Sequence, residues 1–167
     1  MEQYCIYLAV KQILSSLNCP DNAPTYGVLS DIKENALGVY IVGRTILRNR
    51  LLSSGKYCRK ANTVRLRMQS GKTAESIMNW ETFNNKLINL APSLCNVEYK
   101  LDKNIIGFDA YGNITRTKSD ITSGIKVMFI RTDTPTGVEN RGRSSQGLTR
   151  YRCDLAIEYN IASYALN

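Results

Sequence analysis

Apolar and polar positions change period several times along the chain, and each change marks an element. From Glu2 to Leu17 the apolar residues Ile6, Val10, Ile13, Leu14 and Leu17 recur at helical spacing, which predicts an amphipathic helix. Asn18 to Pro24 ends it, because Pro20 and Pro24 fix their own backbone and restrict the residues before them. Ala36 to Val42 is apolar and β-branched enough for a strand. Thr45 to Leu52 either continues that strand or bends back against it, and Ser53 to Lys56 reads as a turn. In Thr63 to Gln69 the period is two: Val64, Leu66 and Met68 alternate with Arg65, Arg67 and Gln69. One face of that strand is apolar and the other cationic. Thr73 to Leu90 returns to helical spacing, with Ile77, Trp80, Leu87, Ile88 and Ala91 on one side and Ala91-Pro92 as the stop. Trp80 on that stripe is expected in the core.

The remainder reads as strands. Asn96 to Leu101 is a short one, and Ile105 to Phe108 and Ile114 to Thr117 flank the turn residues Ala110 to Asn113. Ile125 to Arg131 is apolar at nearly every position, the pattern of a strand covered on both faces. Tyr151, Cys153, Leu155, Ile157, Tyr159 and Ile161 alternate with Arg152, Asp154, Ala156, Glu158 and Asn160, a long half-buried strand. The implied class is α+β: a largely antiparallel, mixed sheet with two amphipathic helices packed on one face. Its 167 residues suit one domain, 1–167, with extended loops near 53–62 and 132–150. The second loop is rich in Thr, Gly, Ser and Arg, and structureless connections of that length are usually functional or disordered.

Composition narrows the chemistry. No run approaches the roughly 20 apolar residues of a membrane span, and the start lacks the pattern of a secretory signal, so a cytoplasmic place and no membrane partner are expected. The five cysteines, Cys5, Cys19, Cys58, Cys95 and Cys153, are scattered without a C-x-x-C pair, and there is no histidine. That argues for free, mostly structural thiols and against mixed Cys/His zinc sites. The same lack of histidine excludes triads that use it as base. Among carboxylates, Asp154 and Glu158 share a strand face but sit roughly 13 Å apart, too far to share a metal or a proton. Asp102 and Asp109 flank a hairpin and read as turn residues. Gly71-Lys72-Thr73 resembles the end of a phosphate-binding loop between strand and helix, but Leu66 stands where the earlier glycine is needed. A strand-to-helix turn is the simpler reading. No enzyme, cofactor or metal is expected.

Charge supplies the positive signal. Asn35 to Ala74 holds Arg44, Arg48, Arg50, Lys56, Arg59, Lys60, Arg65, Arg67 and Lys72 and no acid. The net charge is +8; the rest of the chain has thirteen basic against fourteen acidic residues. So asymmetric a field attracts polyanions or an acidic protein face. Phosphate contact needs only clustered Lys and Arg, whereas base reading needs a groove-entering element, and no such motif is present. A solvated strand face, a nucleic-acid-binding module and a cationic face meeting an acidic neighbour all fit. Arg141 and Arg143 in the late loop join the candidate interaction residues.

The order of elements also resembles a known family. An opening helix precedes the segment Ala36-Leu37-Gly38-Val39-Tyr40. The alternating strand Val64 to Met68 then leads into the amphipathic helix Thr73 to Leu90. The chain ends with Met128-Phe129-Ile130, the loop Pro135 to Arg143 and the alternating strand Tyr151 to Ile161. In this pattern the chain resembles the tail terminator proteins of long-tailed bacteriophages, often labelled minor capsid or head–tail joining proteins. The late loop and the segment Cys95 to Ser123 are longer than the family pattern. The resemblance implies a structural virion protein of the neck or tail, assembled in the host cytoplasm as a ring, commonly a hexamer. Such a ring ends tail-tube polymerisation and joins the tube to the head connector. Its implied partners are copies of itself, the tail tube protein, the head connector or adaptor protein, and DNA passing through the channel. No catalytic residue is implied.

Overall fold

The structure, a computed structural model, describes residues 2–27, 33–52, 55–89, 98–101, 104–118, 123–132 and 138–163. The chain runs α1 (Glu2–Ser16), β1 (Thr25–Tyr26), β2 (Leu37–Leu52), β3 (Gly55–Gln69), α2 (Ala74–Ile88), β4 (Glu98–Leu101), β5 (Asn104–Phe108), β6 (Ile114–Lys118), β7 (Ser123–Thr132), β8 (Val138–Arg143) and β9 (Thr149–Ser163). Seven strands form one sheet in the order β1-β2-β3-β9-β7-β4, with β8 also paired to β9. Only the β1–β2 pair is parallel, so the sheet is mixed and the fold is α+β.

Thr45 to Leu52 continues the first strand without bending back, and Leu52 and Gly55 close the register with β3. Two bulges interrupt that ladder, between Ile41 and Gly43 and between Ile46 and Arg48. β9 pairs with β3 over most of its length, from Tyr57↔Ala162 to Gln69↔Arg150. The expected loop near 53–62 is therefore corrected: from Gly55 onward it is β3, paired on both sides from Tyr57. Local composition misleads there because the two neighbouring strands, not the segment's own pattern, decide its conformation.

The expected loop at 132–150 is corrected in the same way. β8 antiparallel to β9 occupies 138–143, and a tight turn joins them. In that turn Ser144 Oγ accepts the backbone N–H groups of Gln146 and Leu148, and Gly147 takes φ +79°. Leu148 is buried, which pins the turn to the body. β7 and β8 thus lie along the same edge of β9, one beyond the other. Residues 133–137 between them, including Pro135, lie outside the described residues, as does the Ala91-Pro92 stop.

One apolar cluster unites both helices with alternate residues of the strands. It contains Ile6, Val10, Ile13, Leu14 and Leu17 from the α1 region and Trp80, Phe83 and Leu87 from α2. From the strands come Leu37, Val39, Val64, Leu66, Met68, Cys153, Leu155 and Ile157. Trp80 and Phe83 meet edge to face at 5.6 Å. Phe83 completes the α2 stripe that Trp80 and Leu87 begin, whereas Ile88 is exposed. α2 starts at the cap Thr73, whose hydroxyl accepts Ser76 N–H at 3.2 Å. Asn35, in the left-handed region at φ +55°, presents one amide oxygen to Gly71 N–H, Ser76 Oγ–H and the Trp80 indole N–H.

β5 and β6 form a separate hairpin around the expected turn. Asp109 accepts from the backbone of Tyr111 and Asn113 and from the Asn113 side chain. Lys11 of α1 donates to Gly112 O at 3.0 Å, and Tyr26 N–H donates to Ala110 O at 2.7 Å. These two bonds fasten the hairpin to α1 and β1.

Candidate interaction site: an arginine-lined cleft on the sheet

Because Val64, Leu66 and Met68 are fully buried, the intervening Arg65, Arg67 and Gln69 stand on the opposite face of β3. The same parity on β9 puts Tyr151, Cys153, Leu155 and Ile157 in the core and Arg150, Arg152 and Asp154 on that opposite face. Register then brings the two polar rows together: Arg65 faces Asp154, Arg67 faces Arg152, and Gln69 faces Arg150. Tyr40 of β2 is the other register partner of Arg65. β8 contributes Arg141, and the result is a cleft of about 370 Å³ lined by Tyr40, Gln69 and five arginines: 65, 67, 141, 150 and 152.

Asp154 organises the floor. Arg65 Nε and Nη2 donate to its two oxygens at 2.8 Å each, and Arg152 Nη2 and Nε donate at 2.9 and 3.4 Å. One buried carboxylate is thus clamped by two planar forks. The Arg65 hydrogen bonds, helped by those of Arg152, lower its pKa to about 2. In turn Asp154 raises Arg65 further above the ordinary arginine range, and Tyr40 also hydrogen-bonds that guanidinium.

The described side chains therefore set five positive charges against one negative. Glu139 holds the register position opposite Arg152 on β8. Arg67 and Arg152 stand directly opposite across β3 and β9, a like-charged pairing of the kind that weakens a sheet. Two polar atoms in the cleft are buried without a hydrogen-bond partner: Arg150 Nε, a donor, and Gln69 Oε1, an acceptor. Arg150 is held from its other end, where Nη2 donates to Arg143 O at 3.3 Å.

The expected basic stretch is divided by the fold. Arg65 and Arg67 reach the cleft, while Arg44, Arg48 and Arg50 on β2 and Lys56, Arg59 and Lys60 on β3 occupy the far part of the β2–β3 ladder. Arg59 is six residues from Arg65, roughly 20 Å along the strand; the side chains of those six lie outside the described residues. Of the late-loop pair, Arg141 lines the cleft and Arg143 contributes its carbonyl. Arg150 and Arg152 were not singled out by charge, since they sit beyond the acid-free stretch; the alternation of β9 was their only signal.

The other chemistry is built for packing. Gly71 N–H is occupied by Asn35 Oδ1 and Ser76 Oγ, so Gly71-Lys72-Thr73 caps a helix and does not present its glycine amide to phosphate. Cys19 and Cys153 are free thiols, and burial pushes each up to about 12, far from a nucleophile's range. Among the described residues no group of three or more Cys, Asp or Glu could hold a metal ion, and no helix is long and apolar enough to cross a membrane. Neither a known protein-family model nor any characterised protein sequence matches the chain.

Proposed function

We propose that the chain is a structural subunit of a bacteriophage neck or tail, assembling with copies of itself into a ring that ends the tail tube and joins it to the head connector. The observation that carries this reading is a cationic cleft built across four paired strands of one sheet, β2, β3, β9 and β8. The resemblance of the sequence's order of elements to that of tail terminators supports the reading. A ring subunit needs surfaces that meet a neighbour head to tail, and an arginine face suits either an acidic protein neighbour or DNA in the channel. The test is to add purified protein to polymerising tail-tube protein. A terminator stops growth and leaves short, uniform tubes; tubes of unchanged length that carry no bound protein would overturn the reading.

A second reading has a specific observation in its favour. Five clustered arginines can neutralise phosphates without reading sequence, so a stand-alone nucleic-acid-binding module is the alternative. It requires DNA or RNA affinity that falls steeply with salt, and no binding even at low salt removes it.

A further inference from the structure

We propose that the cleft holds one compact, multiply charged oxyanion of the phosphate type, anchored by Arg67 where β3 pairs with β9. The inference concerns the cleft on which the proposed function draws, and it stands whether or not the chain forms a ring.

Arg67 lies between the fully buried Leu66 and Met68, so its side chain stands on the polar face of β3, where it is exposed. Its companions in the cleft are already engaged. Arg65 and Arg152 share Asp154, and Arg150 donates to Arg143 O at 3.3 Å. Arg67 has no hydrogen-bond or ion-pair partner among the described residues. A ligand arriving from solvent therefore meets a guanidinium whose five N–H groups are all unspent.

Register concentrates further charge on the same spot. Arg152 stands directly opposite Arg67, and Arg150 is its diagonal neighbour on β9. Three guanidinium side chains thus leave the backbone from positions within about 8 Å of one another. Asp154 answers the charge at the Arg65 end of these rows. At the Arg67 end the described lining of the cleft contains no acid. An anion seated there relieves the opposed like charges and gains charge-assisted hydrogen bonds.

Asp154 also indicates which anion suits the place. Each of its two oxygens already accepts from both Arg65 and Arg152, so two forks use up one carboxylate. A group that meets three guanidinium side chains needs more oxygens, pointing in more directions, and a tetrahedral phosphate supplies them. The cleft, about 370 Å³, is at the small end of the range for small-molecule sites. That favours a compact ion such as pyrophosphate.

The experiment titrates pyrophosphate into the purified protein, by calorimetry and by thermal melting, with potassium chloride holding the ionic strength constant. The expected result is a saturable rise in melting temperature and about one ion bound per chain. Malonate, a dicarboxylate, binds roughly tenfold more weakly. R67A weakens pyrophosphate by roughly tenfold, and R67K by roughly threefold because lysine keeps the charge but loses the fork. Without ligand, R67A melts no lower than the unmodified protein, since it removes one of two opposed like charges, so its lost binding is not lost folding. R116A, at an exposed arginine on β6 away from the cleft, binds as the unmodified protein does. An oligothymidylate without terminal phosphate identifies the source. If it displaces pyrophosphate and weakens equally in R67A, the site takes the phosphates of a nucleic acid; if it does not, the site takes a small phosphate compound. The proposal is overturned if pyrophosphate shows no saturable binding, if R67A binds it unchanged, or if malonate binds as tightly. The mass of the particle read in the same samples keeps this site and the ring apart. A monomer that binds pyrophosphate counts only against the ring, and a ring that ignores it counts only against this site.

Discussion

At the residue scale Asp154 is the side chain on which the polar face turns. It is buried, yet stays ionised because two guanidinium forks hold it. Its pKa in the folded chain, about 2, lies below the ordinary carboxylate value. The sign follows: the unfolded state takes up protons first as pH falls, so the stabilisation is complete above about pH 4 and is lost between about 4 and 2. D154N should cost about 1–2 kcal/mol at neutral pH, after allowance for the partial exposure of both arginines, and chemical denaturation should then show a flatter acid limb. An unchanged acid limb in D154N would mean that the pair does not form. Arg67 predicts the opposite sign. R67E places a carboxylate opposite Arg152 and should stabilise the fold by about 0.5 kcal/mol, because it replaces a like-charged pair with an opposite-charged one. Loss of stability in that variant would contradict the register.

At the element scale, β3 carries the most information and was the least evenly legible. Its second half, Thr63 to Gln69, alternates so regularly that both its buried face and its arginines could be read from the chain. Its first half, Gly55 to Asn62, has no alternation and read as a loop, yet β2 and β9 pair with it on both sides. The β9 side of that pairing is not encoded locally, because it comes from a distant segment: Asp154 lies 89 residues along the chain from Arg65. The same holds for the cleft. Arg65 and Arg67 were visible as charge, Arg152 as one step in an alternation, and their meeting only as register. One helix cap and one hairpin turn offer element-scale checks. T73A removes the hydroxyl that accepts Ser76 N–H and should cost about 1 kcal/mol by denaturant melts. G112A should cost about 1–2 kcal/mol, since Gly112 takes φ +79° and a methyl there would lie 3.0 Å from both Lys11 and Tyr26. Its loss should be larger than that of N113A, which keeps the backbone.

At the scale of the whole molecule, charge and packing are segregated by the sheet. Residues of both helices share one buried cluster with the apolar rows of β3 and β9, and the polar face gathers arginines from β3, β8 and β9. This division follows from the period of two in β3 and β9, which lets one strand serve a core and a binding surface at once. A cationic face of that kind suits contact with a neighbour, as the proposed ring requires. The most direct test is the mass of the native particle by sedimentation across low to high micromolar concentration. The proposed ring should appear as a closed species at a fixed multiple of the 18.8 kDa subunit, gained as concentration rises and retained on tail-tube ends. A particle of 18.8 kDa at every concentration, with or without tubes, would contradict it.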